Sequence, residues 1–448
     1  MEIVVGNDCR PFEGNAMKLL ETNVSRRNVL AGLGASAVGI ITLTACGGSN
    51  SPSSSSAAKD FVMTVWGGDP DKAAYQARLD LAKAKYPDYN ITLQIIPNKD
   101  YAQKVQTMIS GGTGPDIMQV AEDANAYSSK NQLLPLDDYI SKASLDLPGT
   151  FGPVAENWKY KDKTYAVPDR AGAMILYYNK GEFDKKGLKA PTADWTWDDL
   201  LSTAKELTGN GVFGYGGTEW WPIWMSFAYQ NGGQVIDASS GRPSVNTPEV
   251  VEALQFCQDL IFKHKVVPSK VDYANMGAGV GGDAAFASGK VMMNSTGFWN
   301  IGSLAKQDKI TWDVAPIWRG KEKAISAFGS GLAISRSSKN PADAFKIVQF
   351  MTSAEGQQPI LQLGQDVPAR QDLQKSQDFL KPSWLKGDVN MQVFPDSTPS
   401  IFKPPFIPEW NEMQKAITDA MADFWLGKSD AKATAADLQK RLDSIVKA

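Results

Sequence analysis

Residues 61–120 read FVMTVWGGDPDKAAYQARLDLAKAKYPDYNITLQIIPNKDYAQKVQTMISGGTGPDIMQV, and this stretch decides the fold. Its first six residues are apolar, aromatic or β-branched, which predicts a strand that ends at Gly67 and Gly68. After this strand, the spacing of the apolar residues alternates between the 3.6-residue period of a helix and the two-residue period of a strand. This switching predicts a helix at 71–85, a strand at 91–96, a helix at 100–110 and a strand at 117–120.

The order strand, helix, strand, helix, strand predicts a parallel sheet, because parallel neighbours need crossover connections of this length. Ligands on such sheets bind at the carboxyl ends of the strands. Four aromatic or acidic residues occupy those ends, namely Trp66, Asp69, Glu122 and Asp123. We therefore expect a binding site at this edge of the sheet.

Composition narrows the class of function. The chain has 448 residues, enough for two large domains with their own cores. A net charge of -3 leaves no basic excess to neutralise phosphates, which argues against nucleic-acid binding. With 3 Cys and 1 His, few side chains are left for metal or thiol chemistry, so we expect no metal, no cofactor and no catalytic residue.

The N-terminal segment has the order of a secretory signal. Lys18, Arg26 and Arg27 form a basic region, and residues 29–43 follow as an uncharged run. The run is shorter than a typical membrane-spanning helix. Small residues then lead into Cys46, and this ending resembles the lipobox of bacterial lipoproteins, in which the Cys sulfur takes the lipid.

We therefore predict that residues 1–45 are a signal peptide and that Cys46 carries a lipid. Residues 46–59 are rich in Ser and predict a flexible tether. The segment at 25–30 (SRRNVL) also resembles a twin-arginine export signal, so the twin-arginine and general secretory routes both stay open. Residues before Met17 do not resemble a basic signal region, and we expect translation to start at Met17.

Several short segments of the body resemble one known family when taken in order. They are GGTGPDI at 111–117, YAVP at 165–168, LYYNK at 176–180, WTWDDL at 195–200, FASGKVMM at 286–293 and GLAIS at 331–335. Together they resemble the extracellular solute-binding proteins of family 1, the maltose-binding type, which are the lipoprotein components of bacterial carbohydrate ABC importers.

The resemblance implies an α/β fold of the type II periplasmic-binding-protein kind. In that fold each of two lobes is a mainly parallel sheet flanked by helices, and the ligand binds in the cleft between the lobes. The chain would cross between lobes near Pro168, near Ala324 and near Pro368-Ala369-Arg370. The implied boundaries are 60–167 plus 326–370 for lobe 1, and 168–325 plus 371–448 for lobe 2.

A sugar presents apolar C–H faces, which stack on aromatic rings, and a belt of hydroxyls, which bond to carboxylates, amides and Arg. Aromatic and acidic or amide residues adjoin at 66–69, 218–221, 296–300 and 408–411. The sequence therefore offers four segments with the chemistry of a sugar site.

In this family, ligand contacts come from the polar loop after the first strand, from an acidic-aromatic turn and from aromatic positions later in the chain. The resemblance therefore implies ligand contacts by the residues that match these segments: Asp69, Glu219, Trp220, Trp221, Trp299 and Trp410. Glu122 and Asp123 match the acidic segment after the third strand. Their neighbours, and residues beside the crossings, complete the predicted site: Trp66, Asp169, Arg170, Phe298 and Ser330.

We therefore predict a protein that captures a sugar, of oligosaccharide size, by lobe closure and delivers it to the permease subunits of an ABC importer. We expect a monomer without enzymatic activity, held by its lipid on the outer face of the cytoplasmic membrane of a Gram-positive bacterium. Two alternatives stay open. A binder of polyamines or other small solutes would also combine Trp with carboxylates, and so would a secreted glycoside hydrolase.

Overall fold

The computed structural model describes residues 58–402 and 405–446. Within these ranges the chain forms ten strands: β1 Lys59–Trp66, β2 Tyr89–Ile96, β3 Ile117–Val120, β4 Lys159–Tyr160, β5 Lys163–Thr164, β6 Ala166–Ala173, β7 Ile175–Tyr178, β8 Met293–Thr296, β9 Asp313–Ala315 and β10 Ala327–Ile334. The predicted signal peptide and Cys46 lie outside the described residues, and β1 begins at Lys59, the last residue of the predicted tether.

The same ranges contain nineteen α-helices: α1 Asp69–Lys85, α2 Asn98–Ser110, α3 Ala124–Ser129, α4 Asp137–Lys142, α5 Leu147–Phe151, α6 Lys180–Lys186, α7 Trp197–Leu207, α8 Trp221–Gln230, α9 Pro248–Phe262, α10 Lys270–Asn275, α11 Asp283–Ala287, α12 Trp299–Leu304, α13 Pro341–Met351, α14 Ala354–Gln362, α15 Gln371–Gln374, α16 Gln377–Leu380, α17 Val393–Ser397, α18 Trp410–Ala420 and α19 Ala431–Ile445. Three short 3-10 helices lie at Gly152–Trp158, Thr398–Ser400 and Phe424–Leu426. Among the described helices, none is both long and apolar enough to span a bilayer.

The first lobe is built on a five-stranded sheet in the order β2-β1-β3-β10-β6. β1 runs parallel to β2 and to β3, with Met63 opposite Ile117, which confirms the parallel arrangement predicted from residues 61–120. β10 runs antiparallel to both β3 and β6, so the sheet as a whole is mixed.

Helices cover both faces of this sheet. On one face, Leu79 of α1 and Ile347 of α13 are buried against Phe61 of β1. On the other face, Tyr101 of α2 and Trp158 of the first 3-10 helix are buried in a second cluster. Because the sheet has a core on each side, its own strands carry few charged residues.

The second lobe is built on a three-stranded sheet in the order β8-β7-β9, and its strand directions differ from our expectation. β8 and β9 both run antiparallel to β7. β7 enters this lobe directly from β6, and both of its neighbours return toward the crossing strands, so the expectation of a mainly parallel sheet is wrong here. Among the described residues of this lobe, parallel pairing is limited to isolated bridges such as Gly216 to Asn294.

Three chain segments lie side by side where the lobes meet. β6 pairs with β10 along most of its length, and Arg170 of β6 forms an isolated bridge with Pro368 on its other edge. Ile325, just before β10, pairs with Ile401. β6 runs through the predicted boundary at residue 167 and continues to Ala173, and the proposed lobe boundaries stay predictions.

Candidate ligand-binding site

The carboxyl ends of β1 and β3 supply the first-lobe side of the site. Trp66 ends β1, and its backbone N–H donates to Gln119 Oε1 at 3.1 Å. Its ring meets Tyr101 edge to face, with centroids 5.3 Å apart. Asp69 begins α1 and is exposed to solvent. Both residues therefore stand at the sheet edge where they were predicted.

Glu122 and Asp123 follow β3 and are half-buried. Burial raises the pKa of Glu122 to about 7, because removal from water disfavours the charged carboxylate. Burial also raises the pKa of Asp123, although a hydrogen bond from the Ala121 N–H to Asp123 Oδ1 (3.2 Å) acts in the opposite sense. The pair gives this edge two carboxyl groups that are only partly solvated.

Arg170 of β6 is buried and held on several sides. Its Nη1 lies 3.2 Å from Asp71 Oδ1 and 3.3 Å from Asp366 Oδ2, and its Nε lies 3.4 Å from Ser330 Oγ. Its guanidinium carbon is 5.7 Å from the centroid of Trp66. Nη2 is buried and has no hydrogen-bond partner among the described residues.

The charge on Arg170 is stabilised by this surrounding. Burial acts to lower its pKa, but Tyr75 and the carboxylates of Asp366 and Asp71 together hold the pKa above its ordinary value. Burial raises the pKa of Asp366 to about 6, with Arg170 opposing the rise. A fixed cation with one unused N–H group is suited to donate a hydrogen bond to a ligand oxygen.

Asp169 does not lie in the cleft, and the prediction that it contacts ligand is wrong. It is fully buried, and its Oδ2 accepts a hydrogen bond from Tyr75 Oη at 2.6 Å. Its Oδ1 pairs with Arg78 of α1, which is also fully buried. Adjacent side chains of a strand point to opposite faces of the sheet. Asp169 and its neighbour Arg170 therefore have different surroundings.

Ser330 of β10 is buried, and it positions other side chains. Its Oγ accepts a hydrogen bond from Gln119 Nε2 at 2.9 Å and faces the Nε of Arg170. A direct ligand contact by Ser330 stays a prediction.

Five aromatic rings form a connected cluster on the second-lobe side, which we call the aromatic cluster: Trp220, Trp221, Trp299, Phe328 and Trp410. Trp220 stacks on Phe328 with centroids 5.3 Å apart and an interplanar angle of 10°. Trp299 and Trp221 meet Phe328 edge to face at 5.4 and 5.5 Å. Phe328 is therefore the centre of the cluster.

The members of the aromatic cluster differ in exposure. Trp299 is 39% exposed, while Trp410 is 6% exposed and packs against Trp221 with centroids 5.2 Å apart. Trp299 is thus the ring with most surface free for a ligand. A ligand contact by Trp410 stays a prediction.

Phe298 is not part of this cluster, and its prediction as a ligand contact is wrong. Its side chain is 2% exposed and stacks on Phe379 at 5.8 Å in the core of the second lobe. Since Phe298 and Trp299 are adjacent at the start of α12, only one of them faces the cleft.

Glu219 precedes Trp220 at the turn before α8 and is buried beside the aromatic cluster. Neither of its carboxylate oxygens has a hydrogen-bond partner among the described residues. Lys270 Nζ lies 3.6 Å from Oε2, beyond ordinary hydrogen-bond distance. Burial raises the pKa of Glu219 to about 7, and the Lys270 ammonium limits the rise. Buried oxygens without donors predict that a ligand supplies them.

Asp283 is a further acidic group that sequence reasoning missed. Its Oδ2 accepts hydrogen bonds from Trp299 Nε1 at 3.2 Å and Thr296 Oγ1 at 3.3 Å, and its Oδ1 accepts from Asn294 Nδ2 at 2.8 Å. Burial raises its pKa, and these hydrogen bonds oppose the rise. Asp283 therefore fixes the orientation of the Trp299 ring.

β10 joins the two halves of the site. Phe328 is the centre of the aromatic cluster, and Ser330, two residues later, contacts Arg170. Residues two apart on a strand point to one face and lie about 7 Å apart. The strand thus places the aromatic cluster and the buried cation Arg170 beside neighbouring positions on one of its faces.

Comparison with known proteins shows the family to which the chain belongs. The family profile described as bacterial extracellular solute-binding protein matches residues 67–358. The chain belongs to this family.

Other solute-binding proteins match it over most of their length. It is 25% identical over 375 residues to a protein of Brucella abortus (strain 2308) named as a binding protein, covering 82% of this chain and 88% of that one. It is 24% identical over 419 residues to the maltodextrin-binding protein of Bacillus subtilis (strain 168), covering 89% and 92%. Both relatives are named as binding proteins, and the family description names the same class of protein.

A solved structure shows the same fold. The ABC substrate-binding protein of Listeria monocytogenes, solved in complex with cycloalternan, superimposes with a TM-score of 0.78 at 26% identity, covering 86% of this chain and 98% of that one. The two-lobed α/β fold with the cleft between lobes is thereby confirmed for this solute-binding protein. Within the described residues we find no group of three or more His, Cys, Asp or Glu side chains arranged to hold a metal ion.

Proposed function

We propose that this chain captures an oligosaccharide between its two lobes and delivers it to an ABC importer. The observation that carries the proposal is the aromatic cluster beside Glu219, whose buried carboxylate oxygens have no donor among the described residues. Sugar C–H faces match the rings, and sugar hydroxyls are donors of the kind that Glu219 lacks. The maltodextrin-binding protein of Bacillus subtilis and the cycloalternan complex of Listeria monocytogenes support a saccharide as the ligand class.

The mechanism is binding without covalent change. Trp66 and Arg170 lie on strands of the five-stranded sheet, while Glu219 and Trp299 lie beside helices of the second lobe, so a ligand that touches all four stabilises the closed arrangement. Small-angle X-ray scattering tests this step. We expect the radius of gyration of the protein to fall when a saccharide that it binds is added. An unchanged radius at saturation would contradict capture by closure.

We further propose that the protein is a monomeric lipoprotein held at the outer face of the membrane through Cys46. The order of basic region, apolar run and Cys supports this proposal. Metabolic labelling with an alkyne analogue of palmitate tests it in the native bacterium. We expect label on the wild-type chain and none on a Cys46→Ala variant, and equal labelling of both would contradict the anchor.

A polyamine is the second candidate ligand. It is favoured by the same unpartnered oxygens of Glu219, because an ammonium group would satisfy them as well as a hydroxyl. Arg170 and Lys270 count against a polycation, since both place positive charge in or beside the site. A titration with spermidine separates the two candidates.

A further inference from the structure

One face of α1 presents an acid, an aromatic ring and a cation to strand β6. Asp71, Tyr75 and Arg78 are spaced four and three residues apart, so they lie in one row along the helix. Asp71 Oδ1 accepts a hydrogen bond from Arg170 Nη1, and Arg78 pairs with Asp169. Tyr75 therefore stands in this row between the residue that contacts Arg170 and the residue that contacts its buried neighbour.

The Tyr75 ring contacts the cations of both pairs. Two guanidinium groups lie over it, with Arg170 Cζ 5.4 Å and Arg78 Cζ 4.9 Å from the ring centroid. Contacts between a cation and a ring are stronger away from water, and Tyr75 is fully buried. The ring thus connects the cation of the proposed ligand site with a cation in the core of the first lobe.

The ring is itself held through its hydroxyl. Tyr75 Oη donates to Asp169 Oδ2 at 2.6 Å, and Arg78 Nη1 donates to the same oxygen at 3.4 Å. Burial raises the pKa of the Tyr75 phenol well above its ordinary value, so the hydroxyl keeps the proton that it donates. One carboxylate therefore fixes the ring and balances the charge of Arg78.

The buried Arg78–Asp169 pair is in turn fixed to the body of the first lobe. Arg78 Nε donates to the Gly356 carbonyl at 2.8 Å, and Arg78 Nη2 donates to the Met351 carbonyl at 2.6 Å. Gln357 Nε2 donates to the Asp169 carbonyl at 2.7 Å. Met351 ends α13, while Gly356 and Gln357 belong to α14. The pair thus ties α1 and β6 to two further helices.

The contacts of Arg170 leave one nitrogen for a ligand. Asp71 and Asp366 both bond to Nη1, and Ser330 Oγ lies 3.4 Å from Nε. Nη2 is the guanidinium nitrogen without a partner among the described residues. The Tyr75 ring occupies the space beside the guanidinium, which limits the rotations that would turn Nη2 away from the ligand side.

We propose that Tyr75 is a positioning residue for ligand binding, because its ring holds the Arg170 guanidinium in place and the Arg78–Asp169 pair holds the ring. The part of this proposal that concerns affinity rests on the proposed function. Asp169 has no place in the cleft, and it acts on the ligand through Tyr75 and Arg170.

Three variants separate the ring of Tyr75 from its hydroxyl and from general core packing. Tyr75→Leu removes the ring, and Tyr75→Phe keeps the ring but removes the hydroxyl. Phe345→Leu is the matched control, because Phe345 is a buried ring of the same core cluster and packs on Tyr139 with centroids 5.5 Å apart. Thermal unfolding measures how much stability each variant loses.

Solvent exchange of the Arg170 Nε–H measures the positioning directly. It is followed by NMR on the purified full chain with nitrogen-15-labelled arginine and no ligand, and the signal is identified by its loss in Arg170→Lys. We expect exchange to quicken by about tenfold or more in Tyr75→Leu and to stay near the wild-type rate in Tyr75→Phe and Phe345→Leu. Equal rates in Tyr75→Leu and Phe345→Leu would overturn the proposal, since they would show general loosening alone.

Calorimetry with maltotriose as the saccharide probe measures the effect on affinity. We expect Tyr75→Leu to bind at least about fivefold more weakly than Phe345→Leu, and Tyr75→Phe to bind nearly as wild type does. Equal affinities of Tyr75→Leu and Phe345→Leu would also overturn the proposal. A wild-type chain that binds no saccharide would instead contradict the proposed function, and the exchange rates would still decide whether Tyr75 positions Arg170.

Discussion

The indole Nε1 of Trp299 donates a hydrogen bond to Asp283 Oδ2 at 3.2 Å. The bond fixes one edge of a ring that is 39% exposed, so a face of Trp299 is held open to the cleft before any ligand arrives. Pre-orientation of this kind lowers the entropy that binding must overcome.

Removal of this ring should weaken ligand binding. We expect Trp299→Ala to reduce saccharide affinity by about 2 kcal/mol or more, roughly thirtyfold, because the variant lacks the aromatic surface that the saccharide covers when it binds. Isothermal titration calorimetry measures the effect. Leu426→Ala, which removes an exposed apolar side chain elsewhere, is the control and should leave affinity unchanged. Equal affinities of the wild type and Trp299→Ala would remove this ring from the site.

Gly297 has no room for a side chain, because the indole ring of Trp299 packs closely against it. A Cβ on Gly297 would lie 2.0 Å from Cζ3 of Trp299, so Gly297→Ala must displace the indole. We expect a loss of ligand affinity of about tenfold with little change in melting temperature, because a surface ring moves more easily than a core residue. Gly279→Ala, where a Cβ meets nothing within 4 Å, is the matched control. A Gly297→Ala variant with unchanged affinity would show that the orientation of Trp299 is unimportant.

Removal of the Arg170 guanidinium should lower the free energy of unfolding. Arg170→Met leaves Asp71 and Asp366 without their cation, and loss of one partner from a buried pair costs about 3–5 kcal/mol. Arg370→Met is the control, because Arg370 pairs with a mostly exposed Asp372 and such pairs contribute about 0–1 kcal/mol. Urea unfolding of both variants measures the difference. Similar losses in the two variants would contradict the role given to Arg170.

Protonation of Glu219 should appear as a pH dependence of stability. Its pKa of about 7 in the folded chain lies above its ordinary value of 4.5, so the folded state binds the proton more tightly than the unfolded state. The resulting stability is complete below about pH 4.5 and is lost as the pH rises through 7. Glu122 acts in the same sense, so one substitution removes only part of the effect.

We therefore expect Glu219→Gln to gain stability relative to wild type between pH 5 and pH 8, by about 1 kcal/mol or more, since one unit of pKa shift corresponds to about 1.4 kcal/mol. Chemical denaturation at the two pH values measures the gain. Glu355→Gln, at an exposed position, is the control. A Glu219→Gln curve parallel to that of wild type would contradict the raised pKa of this buried carboxylate.

Much of the fold could be predicted from the sequence because local signals agreed with the tertiary structure. The helices predicted at 71–85 and 100–110 correspond to α1 and α2, and the strands predicted at 91–96 and 117–120 correspond to β2 and β3. Each element begins within two residues of its predicted start. Strand direction in the second lobe had no local signal, because it depends on how distant strands return to β7.

The site was harder to predict because neighbours in sequence need not share a face. Of the adjacent residues Asp169 and Arg170, only Arg170 faces the ligand side. The pairing skips Asp169, because Ser330 and Gly331 of β10 pair with Arg170 and Pro168, and the sequence gives no sign of this bulge. Phe328 and Asp283 were missed because neither adjoins a Trp in sequence. Tertiary packing alone brings them to Trp220 and Trp299.

Calorimetry with a matched ligand panel tests the central claim most directly. The purified chain is titrated with maltotriose, a galacto-oligosaccharide, an arabino-oligosaccharide and spermidine, and each titration is repeated with Trp299→Ala. We predict saturable binding of at least one saccharide at one site per chain, weakened by the substitution, with the saccharide recovered intact. Binding of spermidine with no saccharide bound, or hydrolysis of a saccharide by the purified protein, would contradict the account.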